Sequence, residues 1–348
     1  MSRDIVSMQL ARGGAVSKRY LDALAEGDSK GVSDEIFKHF RKTGLPFQQY
    51  SEREKRRRFS ALCALSTAAL VHDDVIVSNP CCSGLATSYF PHIADVRCRQ
   101  FYTPNETFID DKRLRKILDV TIPAIKSRVS SGQLWSVLGL AQGTARASNF
   151  RPSAAKAIYG LYAKDRVVWD MSCGWGGRLL GALATPVKKY IGTDPSTKTF
   201  EGLKRLADEI GKWSRTKVEL HCCGSETFIP KEPVDLCFTS PPYFDTEKYS
   251  DEPTQSYLKY PSREKWVNGF LLTTIKNCHK CLRSDGVLVL NVWPSMEEDT
   301  TAVAKRAGFV LDKKLQLALS YMPGRNRKKE GEKQAKWKYE PCFIFRKV

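Results

Sequence analysis

The sequence predicts an α/β fold, a mostly parallel sheet with helices on both faces and an antiparallel hairpin at one edge, preceded by a mainly helical domain. Three observations carry that prediction. Before Val167 apolar residues recur every three or four positions, and after it short apolar runs alternate with helical stretches. The last two apolar runs have no clear helix between them, which is the pattern of an edge hairpin. At 348 residues the chain has length for two domains, and the change of pattern places them at residues 1–148 and 149–348.

In the first domain KGVSDEIFKHFRKTG (30–44), REKRRRFSALCALSTAALVH (53–72) and DDKRLRKILDVTIPAIKSRVSSG (110–132) read as helices. Between the second and third, the Pro and Gly punctuation and β-branched residues of VIVSNPCCSGLATSYFPHIADVRC (75–98) read as loops with short strands. In the second domain RVVWD, KYIGTD, KVELHCC, VDLCFTS, GVLVLNV, KLQLALSY and CFIFRKV read as strands. TKTFEGLKRLADEIGKW and SREKWVNGFLLTTIKNCHKCL read as helices between them.

Composition narrows the class. Hydrophobic residues at 42% and charged ones at 27% match a soluble globular chain, which argues against disorder or a membrane protein. No apolar run approaches the roughly 18 residues that span a bilayer, and the start MSRDIVSMQLARGG lacks the apolar core of a signal peptide, so a cytoplasmic protein is expected. Eleven cysteines, odd in number and without a framework, read as reduced thiols. Lys and Arg outnumber Asp and Glu 56 to 38, and the net charge of +18 points to a polyanionic partner, nucleic acid before a membrane surface.

VVWDMSCGWGGRLLGAL passes from strand through a glycine-rich turn into a helix. Gly174, Gly176 and Gly177 allow positive φ and close approach of a ligand, and the helix that follows offers unpaired amide hydrogens. That is the geometry of a nucleotide-type cofactor site at the carboxyl end of a sheet. The spacing is not GxGxxG and no P-loop lysine follows, which argues against cradling of a pyrophosphate or triphosphate. Asp194, at the tip of the next strand, is placed to accept hydrogen bonds from ribose hydroxyls, or else to cap a helix in competition with Ser196. Ser225 and Glu226, after the third strand, are expected to face an adenine ring, with an exposed loop as the alternative.

The fourth strand ends in TSPPYF. Pro241 and Pro242 lack amide hydrogens and fix φ, so the turn offers acceptors and few donors. An exocyclic amine is the matching ligand, held by the Ser240 hydroxyl and a backbone carbonyl, with Tyr243 as a flat face for a base. Such a stack contributes about 1 to 3 kcal/mol in single-stranded complexes. The plainer reading is a proline turn whose aromatics merely pack.

DMSCGWGG, Asp194 and TSPPYF resemble the successive motifs of the S-adenosylmethionine-dependent DNA amino-methyltransferases, which methylate adenine N6 or cytosine N4. The resemblance spans residues 149–348, with SPPY its most specific part. Asn149, Phe150, Arg151 and Pro152, leading into SAAKAIYGLY, resemble the cofactor-side segment that precedes the glycine motif, and KYEPCFIFRK resembles the edge strand. What the resemblance implies is a Rossmann-like class I methyltransferase sheet and S-adenosylmethionine as cofactor. Phe150, Arg151, Asp170, Ser172, Gly174, Gly176, Asp194, Ser225 and Glu226 would lie around that cofactor, and Ser240, Pro241, Pro242 and Tyr243 would form the catalytic turn. The sequence departs from the family at Met171 and Ser172, where many relatives carry a proline-phenylalanine pair. No separate recognition domain fits after TSPPYF, which leaves the helical first half as the candidate for recognising DNA.

The implied reaction is direct methyl transfer to the amine, so the target nucleotide must be flipped from a duplex or already single-stranded. Two basic runs are candidate phosphate contacts: Arg53, Lys55, Arg56, Arg57 and Arg58, and then Arg325, Arg327, Lys328, Lys329, Lys333, Lys336 and Lys338. Each reads alternatively as a solvated charged face. Methylation of an RNA base amine and nucleic-acid binding without turnover remain the rival functions. No metal is expected, because Cys278 and Cys281 lack a second ligand pair at matching spacing. The Pro-Cys pair of NPCC precedes the cofactor motif, the wrong order for a C5-methyltransferase nucleophile.

Overall fold

The computed structural model describes residues 26–123, 131–139, 141–318 and 338–348. The chain divides into two compact units. The first takes the residues up to Lys55, Phe90–Ser148 and Thr246–Ser250, and the second takes Arg56–Tyr89, Asn149–Asp245 and Asp251–Val348. One break thus falls after Ser148, but residues 56–89, assigned by pattern to the helical domain, group with the sheet instead. The reason is hydrogen bonding: a short strand within them pairs with the edge of the sheet.

The strands among the described residues are β1 (Val71–His72), β2 (Val75–Val77), β3 (Arg97–Cys98), β4 (Val167–Asp170), β5 (Lys189–Thr193) and β6 (Lys217–His221). β7 (Val234–Thr239), β8 (Glu247–Lys248), β9 (Leu282–Asn291), β10 (Phe309–Ala318) and β11 (Tyr339–Lys347) follow.

The first unit is built on helices Ser29–Thr43, Pro104–Ile109, Asp111–Thr121 and Ser131–Leu138. Their apolar faces meet in a core of Val32, Ile36, Phe37, Phe40, Phe108, Leu114, Leu118, Leu134 and Leu138. Local chemistry sets the helix starts. Asp28 accepts from the amide of Gly31, and Thr103 and Glu106 form a reciprocal capping box. Arg41 ties two helices together, donating to Asp111 at 2.7 Å and to the Phe108 carbonyl at 2.8 Å. β3 and β8 form a short antiparallel ribbon.

In the second unit nine strands make one sheet in the order β1-β2-β10-β11-β9-β7-β4-β5-β6. β9, β7, β4, β5 and β6 are parallel, whereas β11 is antiparallel to both β9 and β10. β2 then adds to β10 in parallel through Val75, Ile76 and Val77. This extends the sheet beyond the hairpin that the pattern predicts, with Ile76 β-branched and wholly buried at its centre. REKRRRFSALCALSTAALVH accordingly stops as a helix at Ala64, and its last two residues become β1.

A helix at Glu297–Arg306 lies between β9 and β10, where the pattern indicates none. It buries only Thr300, Val303 and Ala304, too small an apolar stripe to register as a periodic signal. The core beneath the sheet holds Trp169, Trp266, Phe270, Leu288, Val303 and Phe345. Fully burying such large apolar side chains is worth about 1.5 to 3 kcal/mol each.

Candidate active site

Two turns leave adjacent strands at the carboxyl edge of this sheet. The first follows β4. Gly174 lies at φ +56° and Gly176 at φ +69°, both in the left-handed region that glycine enters without a Cβ penalty. A Cβ on Gly174 would meet almost nothing, only the Ser172 carbonyl oxygen at 4.0 Å, so this face of the turn is open to a ligand. Gly177 is different. A Cβ there would drive into the Phe150 carbonyl oxygen, so this glycine lets the helix Gly177–Leu183 press against the chain before the helix Pro152–Tyr162.

Asp170 anchors that turn from below. Its carboxylate is wholly buried and accepts from Arg178 Nε at 2.9 Å, Tyr190 Oη at 2.7 Å, Thr239 Oγ1 at 3.0 Å and the Ser172 amide at 3.3 Å. Arg178, only 4% exposed, also donates to the Ser172 carbonyl. Burial works against the guanidinium charge, yet Asp170 beside it holds its pKa above the ordinary value. Sequence reading places Asp170 at the cofactor. Here its oxygens are taken up by four protein donors drawn from the glycine turn, the helix that follows it, β5 and β7, so it fixes the turn rather than reaching past it. Ser172 takes part through its backbone amide and carbonyl.

Asp194 follows β5 and accepts from the amide of Gly174 at 2.9 Å and of Ser196 at 3.1 Å. It therefore holds the open glycine in place. Burial pushes its carboxyl up to about 7, against the lowering effect of the two amide hydrogen bonds. The competing cap reading goes to Ser196, whose hydroxyl accepts from the amide of Thr199 at the start of helix Thr197–Ile210.

The other expected cofactor residues are spread around this pair. Phe150 packs edge-on against Phe238 of β7 at 5.7 Å, with the Arg178 guanidinium 5.4 Å from its ring centre. Arg151 donates to Ser78 Oγ at 2.6 Å, and burial lowers its pKa. Ser225 is 1% exposed with its hydroxyl 2.9 Å from that of Thr274, and Glu226 forms an ion pair with Lys259. Both side chains thus have protein partners, which the pattern around Ser225 did not reveal.

The second turn follows β7. Thr239, its last strand residue, donates to Asp170, so one carboxylate serves both turns. Pro241 is buried, whereas Ser240, Pro242 and Tyr243 are half-buried. The hydroxyls of Ser240 and Tyr243 lie 2.9 Å apart. Phe244 then adopts φ +53°, a left-handed conformation costly for a bulky residue, and is held by packing with Tyr243 against the core, its ring 6.2 Å from that of Trp266. The backbone is forced to turn sharply, which leaves the two hydroxyls at the tip of the strand.

The first basic run lies on the helix Glu52–Ala64, where Arg53, Arg56 and Arg57 are exposed and Lys55 and Arg58 half-buried. Of the second run, Arg325, Arg327, Lys328, Lys329, Lys333 and Lys336 lie outside the described residues, and Lys338 is exposed. All eleven cysteines are unbridged, and Cys82 of NPCC is a buried thiol whose pKa burial raises further. Cys278 and Cys281 sit with Cys237 in the core, with 3.9 Å between the sulfurs of Cys237 and Cys281. Among the described residues no group of three or more His, Cys, Asp or Glu could hold a metal ion, and no helix is long and apolar enough to cross a membrane.

No protein-family model matches the chain, and no curated protein does. Several solved structures are similar. TrmN from Thermus thermophilus is 16% identical over 57% of this chain and 49% of its own, with a TM-score of 0.39, so the match spans about half of that protein. A putative RNA methyltransferase from Pyrococcus horikoshii is 16% identical over 57% of this chain and 81% of its own, at 0.37. A TehB-like SAM-dependent methyltransferase from Corynebacterium glutamicum is 16% identical over 62% and 96%, also at 0.37. The chain's own strand order, five parallel strands followed by the antiparallel β11 and β10, is the α/β, Rossmann-like sheet with an antiparallel edge hairpin expected from the sequence.

Proposed function

We propose that this chain is an S-adenosylmethionine-dependent amino-methyltransferase acting on DNA, at cytosine N4 or adenine N6. The observation that carries the reading is the pairing of opposite turns on adjacent strands. One is open at Gly174, whose amide Asp194 holds, and the other carries two prolines without amide hydrogens and ends in the hydroxyls of Ser240 and Tyr243.

The residues present suit the cofactor. Asp194 would accept from ribose hydroxyls, and the open face at Gly174 leaves room for a ligand against the backbone. The bound cofactor supplies an electrophilic sulfonium methyl group. Ser240, its rotor restrained by Tyr243, accepts a hydrogen bond from the exocyclic amine and turns the nitrogen lone pair outward. Pro241 and Pro242 remove competing amide donors, so neighbouring carbonyls accept the amine's second hydrogen. The amine proton lost on methylation leaves toward these acceptors and then to solvent.

A base in a duplex cannot reach this turn, so it is flipped out or already single-stranded. Arg53, Arg56 and Arg57 on the helix Glu52–Ala64, together with Arg58, supply phosphate contacts whose strength falls with salt. Tritiated cofactor offered separately with duplex DNA, single-stranded DNA and tRNA tests the reading, followed by nucleoside mass spectrometry of the labelled product. Label on DNA as a methylated base amine is expected. Label on tRNA alone moves the substrate to RNA, and binding of nucleic acid without any label leaves a non-catalytic protein.

A further inference from the structure

The carboxyl edge of the sheet carries a second aromatic close to the proline turn. In the ladder between β7 and β9, Phe238 pairs with Val289 and Thr239 with Leu290. Ser240 and Trp293 lie two and four residues on from the first of these pairs, so strand alternation turns both to one face of the sheet. Trp293 is still extended, at φ −67° and ψ 146°, before Pro294 opens a short helical turn. Neighbouring strands about 4.8 Å apart, offset by two residues of rise, put its Cα roughly 8 Å from that of Ser240.

Trp293 is 44% exposed, whereas Trp169, Trp175 and Trp266 are buried and Trp135 and Trp213 half-buried. Among the described residues no ring, cation or hydrogen-bond partner engages its indole. A single exposed aromatic is ordinary, so its neighbours decide what it is for. β11 starts beside it: the Val292 amide donates to the Pro341 carbonyl at 3.2 Å. Just before Pro341, Lys338 and Tyr339 are exposed and Glu340 half-buried. Exposed aromatics next to a cation are the composition that binds single-stranded nucleic acid, where bases stack and phosphates pair, and the chain's net charge of +18 suits the same partner. Sequence reading gives the stacking role to Tyr243. Its ring is instead half-buried against the core, and its hydroxyl lies 2.9 Å from that of Ser240.

We infer that Trp293 is the stacking platform for the base next to the target nucleotide, and that the substrate crosses this edge as an unpaired DNA strand. The inference rests on the reading of Ser240 as the contact of the amine, which puts the target nucleotide beside the indole. A base inside a duplex has both faces stacked on its neighbours and cannot use the platform.

Short oligothymidine tests the inference, because thymine has no exocyclic amine and binding is then read apart from methyl transfer. Affinity for the full chain is measured by anisotropy of the labelled strand, with the same strand annealed to oligodeoxyadenosine as the duplex control. Trp293→Ala is expected to weaken oligothymidine binding about tenfold, the scale of one stacked base, with duplex affinity and melting temperature near native. Trp293→Phe, which keeps a flat face, should recover most of the loss. Oligothymidine should also quench the tryptophan fluorescence of the native chain, and that quench should vanish in Trp293→Phe.

Affinity within twofold of native in Trp293→Ala overturns the inference, as does an equal loss for duplex or a Trp293→Phe variant as weak as Trp293→Ala. A native chain that does not bind oligothymidine overturns it too. Methyl transfer to DNA together with any of these results leaves the proposed function standing without the platform. Strand binding that depends on Trp293, with no methyl transfer to any nucleic acid, supports the platform and removes the reaction. Trp293→Gln repeats the measurement if the alanine variant does not fold.

Discussion

The glycine turn after β4 and the proline turn after β7 leave neighbouring strands and share the carboxylate of Asp170, yet they are made in opposite ways. Under the glycine turn lies a buried ion pair, with Asp170 wholly buried and Arg178 4% exposed. At the proline turn the polar groups are two half-buried hydroxyls, and the backbone after them is strained at Phe244. The difference teaches that fixing the edge of the sheet and presenting chemistry at it are separate tasks, given to different residues. Asp170 belongs to the first and Ser240 to the second.

The strongest way to break that division is to remove the shared carboxylate. Asp170→Asn leaves the Arg178 guanidinium buried without its counter-charge, which costs about 3 to 5 kcal/mol in comparable buried pairs. Urea unfolding should show that loss, and both cofactor binding and methyl transfer should fall together. A variant of native stability would show that the two turns do not depend on Asp170.

Ser240→Ala sharpens the comparison from the other side. Removing one partner of the 2.9 Å hydroxyl pair should change stability by no more than about 1 kcal/mol. Methyl transfer should drop about a hundredfold, as expected when a reacting nitrogen loses its orienting contact, while the affinity for S-adenosylhomocysteine stays near native. A rate within twofold of native would return Ser240 to the plain reading of a turn residue.

The smallest expected effect is a pH dependence at Asp194, which touches the glycine turn but not the proline turn. In the folded chain this carboxyl keeps its proton up to about 7, against 3.8 for the ordinary group. As pH rises between those values the unfolded state binds fewer protons than the folded one, so stability falls across this window and levels off above it. Ribose hydroxyls favour the ionised acceptor, so affinity for S-adenosylhomocysteine should rise about tenfold per unit below 7 and flatten above. Both slopes should vanish in Asp194→Asn, measured by thermal melts and calorimetry between pH 5 and 8. A slope that survives in Asp194→Asn would assign the titration to another group.

What the sequence determined by itself is whatever depends on neighbours along the chain. The alternation of short apolar runs with helical stretches specified β4, β5, β6, β7 and β9 in order, and Gly174, Gly176, Pro241 and Pro242 specified the turns, because positive φ and missing amides are properties of single residues. Tertiary structure decided the partners of the polar side chains. That Asp170 is consumed by Tyr190 and Thr239, that Ser225 meets Thr274, and that Glu226 pairs with Lys259 all join residues distant in sequence. The same holds for β2, whose three residues carry no sign of the strand they meet until β10 is folded beside them. Backbone preference is local and can be read one residue at a time, whereas the partner of a buried donor or acceptor is fixed only when packing brings distant segments within about 3 Å.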